Sequence, residues 1–180
     1  MRIGKDFSKR MKKAWKESVP EDTIRLFEDI VKTAISEEEA ELGFVRLMDK
    51  ILEDEQRLTF WEQNGGCIGG GRNREAKAFA LENAGKSLDE KIKLLNNTQC
   101  LSNVEQDKNG TIKAEVACHC TTLRAYKFLA TPSLYGCAAG AALYNYQIAL
   151  GTKLKLKSYG ASVNFTEKRR PCSFTFEIAE

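Results

Sequence analysis

"DKNGTIKAEVACHC", running from Asp107 to Cys120, is where the hydrophobic period of this chain changes. Ahead of it, apolar residues recur every three or four positions; from Thr111 onward they alternate. Asp107 to Gly110 sets turn-forming residues between two apolar runs, the pattern of a β-hairpin. Past the turn, Ile112, Ala114, Val116, Cys118 and Cys120 share one strand face, and Lys113, Glu115, Ala117 and His119 share the other. The alternation predicts a half-buried strand with both thiols inward. His119, the only histidine, points outward with the charged residues. Same-face neighbours along one strand do not offer relaxed disulfide geometry, so a Cys118–Cys120 disulfide is disfavoured.

Upstream, the period is helical. Phe7, Met11 and Trp15 form an apolar stripe on a short basic helix. Pro20 suits a first helical position, with Glu21 and Asp22 behind it and Ile24, Phe27, Val31 and Ala34 as the buried face. Ser36 and Glu39 make a capping box for a helix carrying Leu42, Val45, Met48 and Leu52. A further helix spans Asp54 to Gln63 and stops at Gly65-Gly66. The stretch "GGCIGGGR" (Gly65 to Arg72) reads as a flexible connection, because no strand precedes it and no Lys-Ser/Thr follows. Asn73 is placed to cap the helix after it, which runs from Arg74 to Ala84 and ends at Gly85. Ser87 and Glu90 form a second capping box, opening a helix through Ile92 and Leu95 that fades at Asn96-Asn97.

Downstream, Leu101 to Glu105 supplies the first hairpin strand. Thr121 to Thr131 is a crossing segment, and Pro132-Ser133 opens a long helix that Gly151 ends. The first turns of that helix, "CAAGAA" (Cys137 to Ala142), are small enough to lie close against a sheet or to leave room above it. "TKLKLKSY" (Thr152 to Tyr159) alternates leucine with lysine, and "PCSFTFEI" (Pro171 to Ile178) puts Cys172, Phe174, Phe176 and Ile178 on one face. The expectation is an α+β fold: N-terminal helices, then an antiparallel sheet of about four strands, with a long helix between two hairpin-like strand pairs. A single domain covers 1–180, mainly helical over 1–97, with the strands and long helix in 98–180.

Composition excludes several classes. At 42% hydrophobic and 29% charged, the 180 residues are ordinary for a globular chain. A net charge of +3 gives no bulk reason to expect nucleic acid as a partner. Charge is uneven: Arg2, Lys5, Lys9, Arg10, Lys12, Lys13 and Lys16 crowd the first turns, while 21–43 is acidic, a pattern of two solvated helix faces side by side. Lys153, Lys155, Lys157, Lys168, Arg169 and Arg170 read as a solvated sheet face and loop. No apolar run reaches the length of a membrane span, and no apolar stretch follows the basic N-terminus as in a secretory signal. The expected location is cytoplasmic, where the six cysteines are thiols or ligands.

The segment "YGCAAGAALYNYQIALGTKLKLKSYGASVNFTEKRRPCSFTFEI", Tyr135 to Ile178, resembles the 4-vinyl reductase, or hydrocarbon-binding, domain family. That family is related in fold to TRAPP-type vesicle-trafficking subunits. The shared features are a helix that opens on a cysteine and small residues, contains an Ala-Gly pair and leads into a strand. The terminal Arg169-Arg-Pro-Cys172-Ser-Phe174 matches the family's last strand without its glycine. Members that sense aromatic compounds hold zinc with three cysteines and a glutamate. The resemblance carries two of these ligands onto Cys137 and Cys172, whereas the other two fall near Ala161 and Asn164. Cys118 and Cys120 are placed to replace them, completing four thiolates for which zinc is the default ion. The plainer reading packs all these thiols as small hydrophobes.

The resemblance implies a domain that binds or senses a small hydrophobic or aromatic molecule. Its pocket would lie between the long helix, the sheet and the N-terminal helices, lined by Tyr126, Phe128, Tyr144, Phe174 and Phe176. With no output domain attached, a signal has to pass through a partner surface, a homodimer interface included. Aminothiazoline-carboxylate hydrolase-like proteins share a similar terminal strand. The alternative is therefore a thiol- or metal-dependent hydrolase or reductase of a small sulfur- or nitrogen-containing substrate. A cysteine nucleophile wants a base within reach, however, and His119 points away from its neighbouring thiols.

Overall fold

A computed structural model describes residues 21–64, 70–116, 132–161 and 171–179. The predicted helix on Phe7, Met11 and Trp15, the glycine-rich stretch around Cys67, and the crossing segment lie outside the described residues. So do Cys118, His119, Cys120, Tyr126 and Phe128.

Among the described residues, five helices precede the sheet: α1 (Glu21–Thr33), α2 (Glu37–Ile51), α3 (Asp54–Gln63), α4 (Gly71–Glu82) and α5 (Leu88–Leu95). Their starts follow local chemistry. Ser36 Oγ accepts the Glu39 N–H, and Ser87 Oγ accepts the Glu90 N–H while Glu90 returns to the Ser87 N–H. At α2 the Glu39 carboxylate reaches instead to the N–H of Ile35, 2.7 Å away, so that box closes one residue earlier than its sequence suggests. Helix α4 begins before Asn73. Gly70, at φ 81°, is its cap, and Asn73 donates to the buried Asn145 side chain at 3.2 Å.

Strands β1 (Val104–Gln106) and β2 (Ile112–Val116) form the expected hairpin. Its turn is built by the Asp107 carboxylate, which accepts the N–H groups of Asn109 and Thr111, and by Gly110 at φ 80°. Helix α6 (Pro132–Leu150) follows, then β3 (Leu154–Ala161) and β4 (Cys172–Ile178). The antiparallel sheet runs β1-β2-β4-β3, so the last strand inserts between the two earlier ones. This is the expected α+β plan, with the long helix between two strand pairs. Leu101 stays outside β1, where its carbonyl accepts the Tyr146 hydroxyl at 3.2 Å.

One sheet face is apolar and covered: Ile112, Ala114, Val116, Leu154, Leu156, Cys172, Phe174 and Phe176 are buried. The other carries Lys113, Lys155 and Glu177, and Lys157 pairs with Glu177 at 2.6 Å. Ile178, expected inward, is 43% exposed at the strand end, and Val31 on α1 is likewise exposed. Helix α6 lies on the apolar face and is itself wrapped by α2, α3, α4 and α5. A helix covered on most sides needs apolar residues most of the way round, which its composition supplies, and Tyr144 marks its exposed side. Its C-terminus closes on Gly151 at φ 67°, with the Lys91 ammonium donating to the Leu150 carbonyl.

The core has two lobes. The larger joins the sheet, α4, α5 and most of α6; the smaller joins Phe27, Leu42, Phe44, Val45, Met48, Leu52, Phe60 and Trp61 of α1 to α3. An edge-to-face chain of rings, Phe27–Phe44 at 4.9 Å and Phe60–Trp61 at 5.1 Å, stiffens the smaller lobe. Cys137 and Tyr159 pack against this smaller lobe, and Tyr159 touches the larger one as well.

Candidate functional site

The head of α6 is where the two lobes meet and where buried polar groups collect. Ser133, Gly136, Cys137 and Gly140 fall at i, i+3, i+4 and i+7, so they share one helix face. That face meets Trp61 so closely that a Cβ at Gly136 would stand 2.1 Å from the indole Cδ1 and 2.4 Å from Nε1. The close approach falls at Gly136, just ahead of the small run Cys137 to Ala142, and the element it admits is the Trp61 ring of α3 rather than the sheet.

Asp49, near the end of α2, serves the helix terminus. Its Oδ1 accepts the Ser133 N–H at 2.9 Å, satisfying one donor that the first turn of α6 would otherwise leave bare. A carboxylate there also complements the positive end of the helix dipole. Beside it, the Arg57 guanidinium is nearly buried and donates to the Leu52 carbonyl and the Asp54 carboxylate, with a longer contact to the Asp49 carbonyl at 3.5 Å. Arg57 thereby ties the start of α3 to the last turn of α2.

Tyr159 completes the ring of groups from the sheet side. Burial pushes its hydroxyl up to about 12; the Arg57 charge and hydrogen bond pull the other way, and Asp49 and Asp54 reinforce the rise. The phenol is therefore a neutral hydrogen-bonding group at physiological pH. Among the described residues, Asp49 Oδ2, Trp61 Nε1 and Ser133 Oγ are also buried with no hydrogen-bond partner. Buried polar atoms are rarely left so, and each costs about 1–3 kcal/mol when unpaired. Because Ser133 and Gly136 are one helical turn apart, all three atoms converge on that turn.

The residues singled out from the sequence distribute differently. Phe174 and Phe176 stack at 6.2 Å, and Phe176 packs on Tyr146 at 5.9 Å, within the sheet–helix core. Phe174 is also the cross-strand partner of Tyr159, which links it to the head of α6. Tyr144 is 40% exposed, while Tyr146 is fully buried. Residues two apart on a helix differ by roughly 200°, so the two tyrosines cannot face the same hollow.

Of the proposed zinc ligands, Cys137 packs on the smaller lobe, and Cys172 is fully buried among apolar side chains of the larger one. Among the described residues, no group of three or more His, Cys, Asp or Glu side chains is placed to hold a metal ion. The described residues alone therefore do not build the closed thiolate site. Cys100 is held off reactivity: burial, then the Glu75 carboxylate, push its thiol up. Glu75 is spent on the backbone, accepting the N–H groups of Gln99 and Cys100.

Asp49, Arg57, Trp61, Ser133 and Tyr159 were missed as site residues from sequence. The available signals were faint: an acidic residue near a helix end, and a serine after Pro132. No helix among the described residues is long and apolar enough to cross a membrane. No protein-family profile, curated protein or solved structure matches this chain, so the likeness of Tyr135 to Ile178 to the hydrocarbon-binding family stands on those residues alone.

Proposed function

We propose that this chain is a small-molecule-binding domain whose ligand sits at the head of α6, between that helix, β3 and the α2–α3 pair. The reading keeps the expected location between long helix, sheet and N-terminal helices and moves the lining residues to Trp61, Ser133, Cys137 and Tyr159. The observation that carries it is the convergence of Asp49 Oδ2, Trp61 Nε1 and Ser133 Oγ, buried and unpartnered, on one helical turn. Apolar walls with a few convergent polar groups are the usual make-up of a ligand site. Cys137 and Tyr159 are half-buried, which brings the rim of the site to solvent.

A fragment screen tests this. Ligand-observed NMR with small aromatic and aliphatic compounds, followed by protein spectra of the tryptophan indole N–H signals, should give binders that shift the Trp61 signal. A screen in which no bound fragment moves that signal would overturn the assignment.

A further inference from the structure

Resting on that binding reading, we propose that the head of α6 is selective for an uncharged head that donates and accepts hydrogen bonds at once, as in a primary carboxamide, a lactam or an alcohol, over a carboxylate or an ammonium. The selectivity follows from what the three unpartnered atoms can do. Trp61 Nε1 only donates, the Asp49 carboxylate only accepts, and Ser133 Oγ does either. A carboxylate ligand finds the Trp61 donor but meets Asp49 as a like charge in a poorly solvated place. An ammonium ligand satisfies Asp49 but brings no acceptor for Trp61, and it faces the positive end of α6 and the Arg57 guanidinium.

Asp49 Oδ1 accepts the Ser133 N–H at 2.9 Å, and the Trp61 indole lies against Gly136, one turn further along. An amide offers its carbonyl to Trp61 and its N–H groups to Asp49 Oδ2 and Ser133 Oγ, and a hydroxyl accepts from Trp61 and donates to Asp49 Oδ2. Both heads are uncharged and match a donor and an acceptor at once. Asp49 is thus the specificity-determining residue, since it fills the helix terminus that would otherwise attract an anion.

Four probes with one ring decide it: benzamide, benzyl alcohol, benzoate and benzylamine, titrated against the full chain carrying Trp15→Phe so that Trp61 alone reports by fluorescence. Benzamide and benzyl alcohol are expected to bind about tenfold or more tighter than benzoate and benzylamine, because unmatched buried polar groups are what reject close analogues. Asp49→Asn should reverse the order of benzamide and benzoate, since the carboxylate that repels the anion is gone. Ser133→Ala, a milder change, should weaken benzamide by several-fold and leave benzoate unchanged. If benzoate or benzylamine matches benzamide and benzyl alcohol on the unaltered Asp49, the uncharged-head assignment is overturned while the binding reading stands. If none of the four binds, in either the Asp49 protein or Asp49→Asn, both fall.

Discussion

Position 136 sets two well-known effects against each other. Alanine is favoured over glycine by about 1 kcal/mol in a helix interior, and Gly136 is inside α6. A methyl group there would overlap the Trp61 ring, and the nearest atoms belong to a rigid indole that is itself fully buried. Forcing an extra methyl into a packed site costs about 1–3 kcal/mol, so the steric effect should win. Gly136→Ala is expected to lower stability by about 1–2 kcal/mol, seen as a lower urea midpoint at unchanged slope. Gly85→Ala, where a Cβ meets open space, is the matched control and should be neutral or slightly stabilising. The sequence shows Gly136 only as one of a run of small residues. It does not show that Trp61 is the partner, because nothing local on α3 distinguishes a tryptophan facing a helix backbone from one facing other side chains.

At the level of single elements, β3 carries a device that alternation conceals. Leu154 and Leu156 are inward and the lysines between them outward, as the period of two requires. Continued without a break, that period would turn Ser158 in and Tyr159 out. The pairing with β4 instead slips between Leu156 and Ser158, with Phe176 opposite Leu156 and Thr175 opposite Ser158, so Lys157 is an extra residue. The bulge reverses the phase and delivers Tyr159 to the head of α6. No residue preference marks it, which is why Tyr159 was not legible as a site residue while the Leu154/Leu156 pattern was. Deleting Lys157 should restore regular pairing with Ser158 still opposite Thr175 and Tyr159 still opposite Phe174, so the phenol should stay inward. In the intact chain Tyr159 should ionise near pH 12 rather than about 10. A phenol whose folded value is raised stabilises the fold fully below the unfolded value, and that contribution is lost as pH rises from about 10 toward 12. Phenolate absorbance across this range should keep its high-pH step after the deletion and show one tyrosine fewer in it after Tyr159→Phe. Unfolding free energy should lose part of its alkaline dependence in Tyr159→Phe and keep it in the deletion.

For the molecule as a whole, the order of elements was readable because each carries its own period, cap or turn: Ser87 with Glu90, Asp107 to Gly110, the alternation of β2 and β4. What joins the elements was not readable, since contacts such as Asp49 with Ser133 or Trp61 with Gly136 depend on the assembled fold. Those same contacts are where the smaller lobe of α1 to α3 meets the lobe of α4 to α6 and the sheet. Trp61 is the largest side chain at that junction and is fully buried. Replacing a buried tryptophan by alanine costs about 3–5 kcal/mol, and here the loss falls on the joint between the lobes. The larger lobe keeps its sheet, its Tyr146–Phe176 contact and the α6 C-terminal closure, all remote from position 61. Trp61→Ala should therefore uncouple the lobes instead of lowering one cooperative transition. Helical signal from α1 to α3 should be lost at lower denaturant than the protection of amides in β2, β4 and α6, measured by hydrogen exchange on the same samples. Coincident loss of both, merely shifted to lower denaturant, would mean that the head of α6 is ordinary core and not a seam.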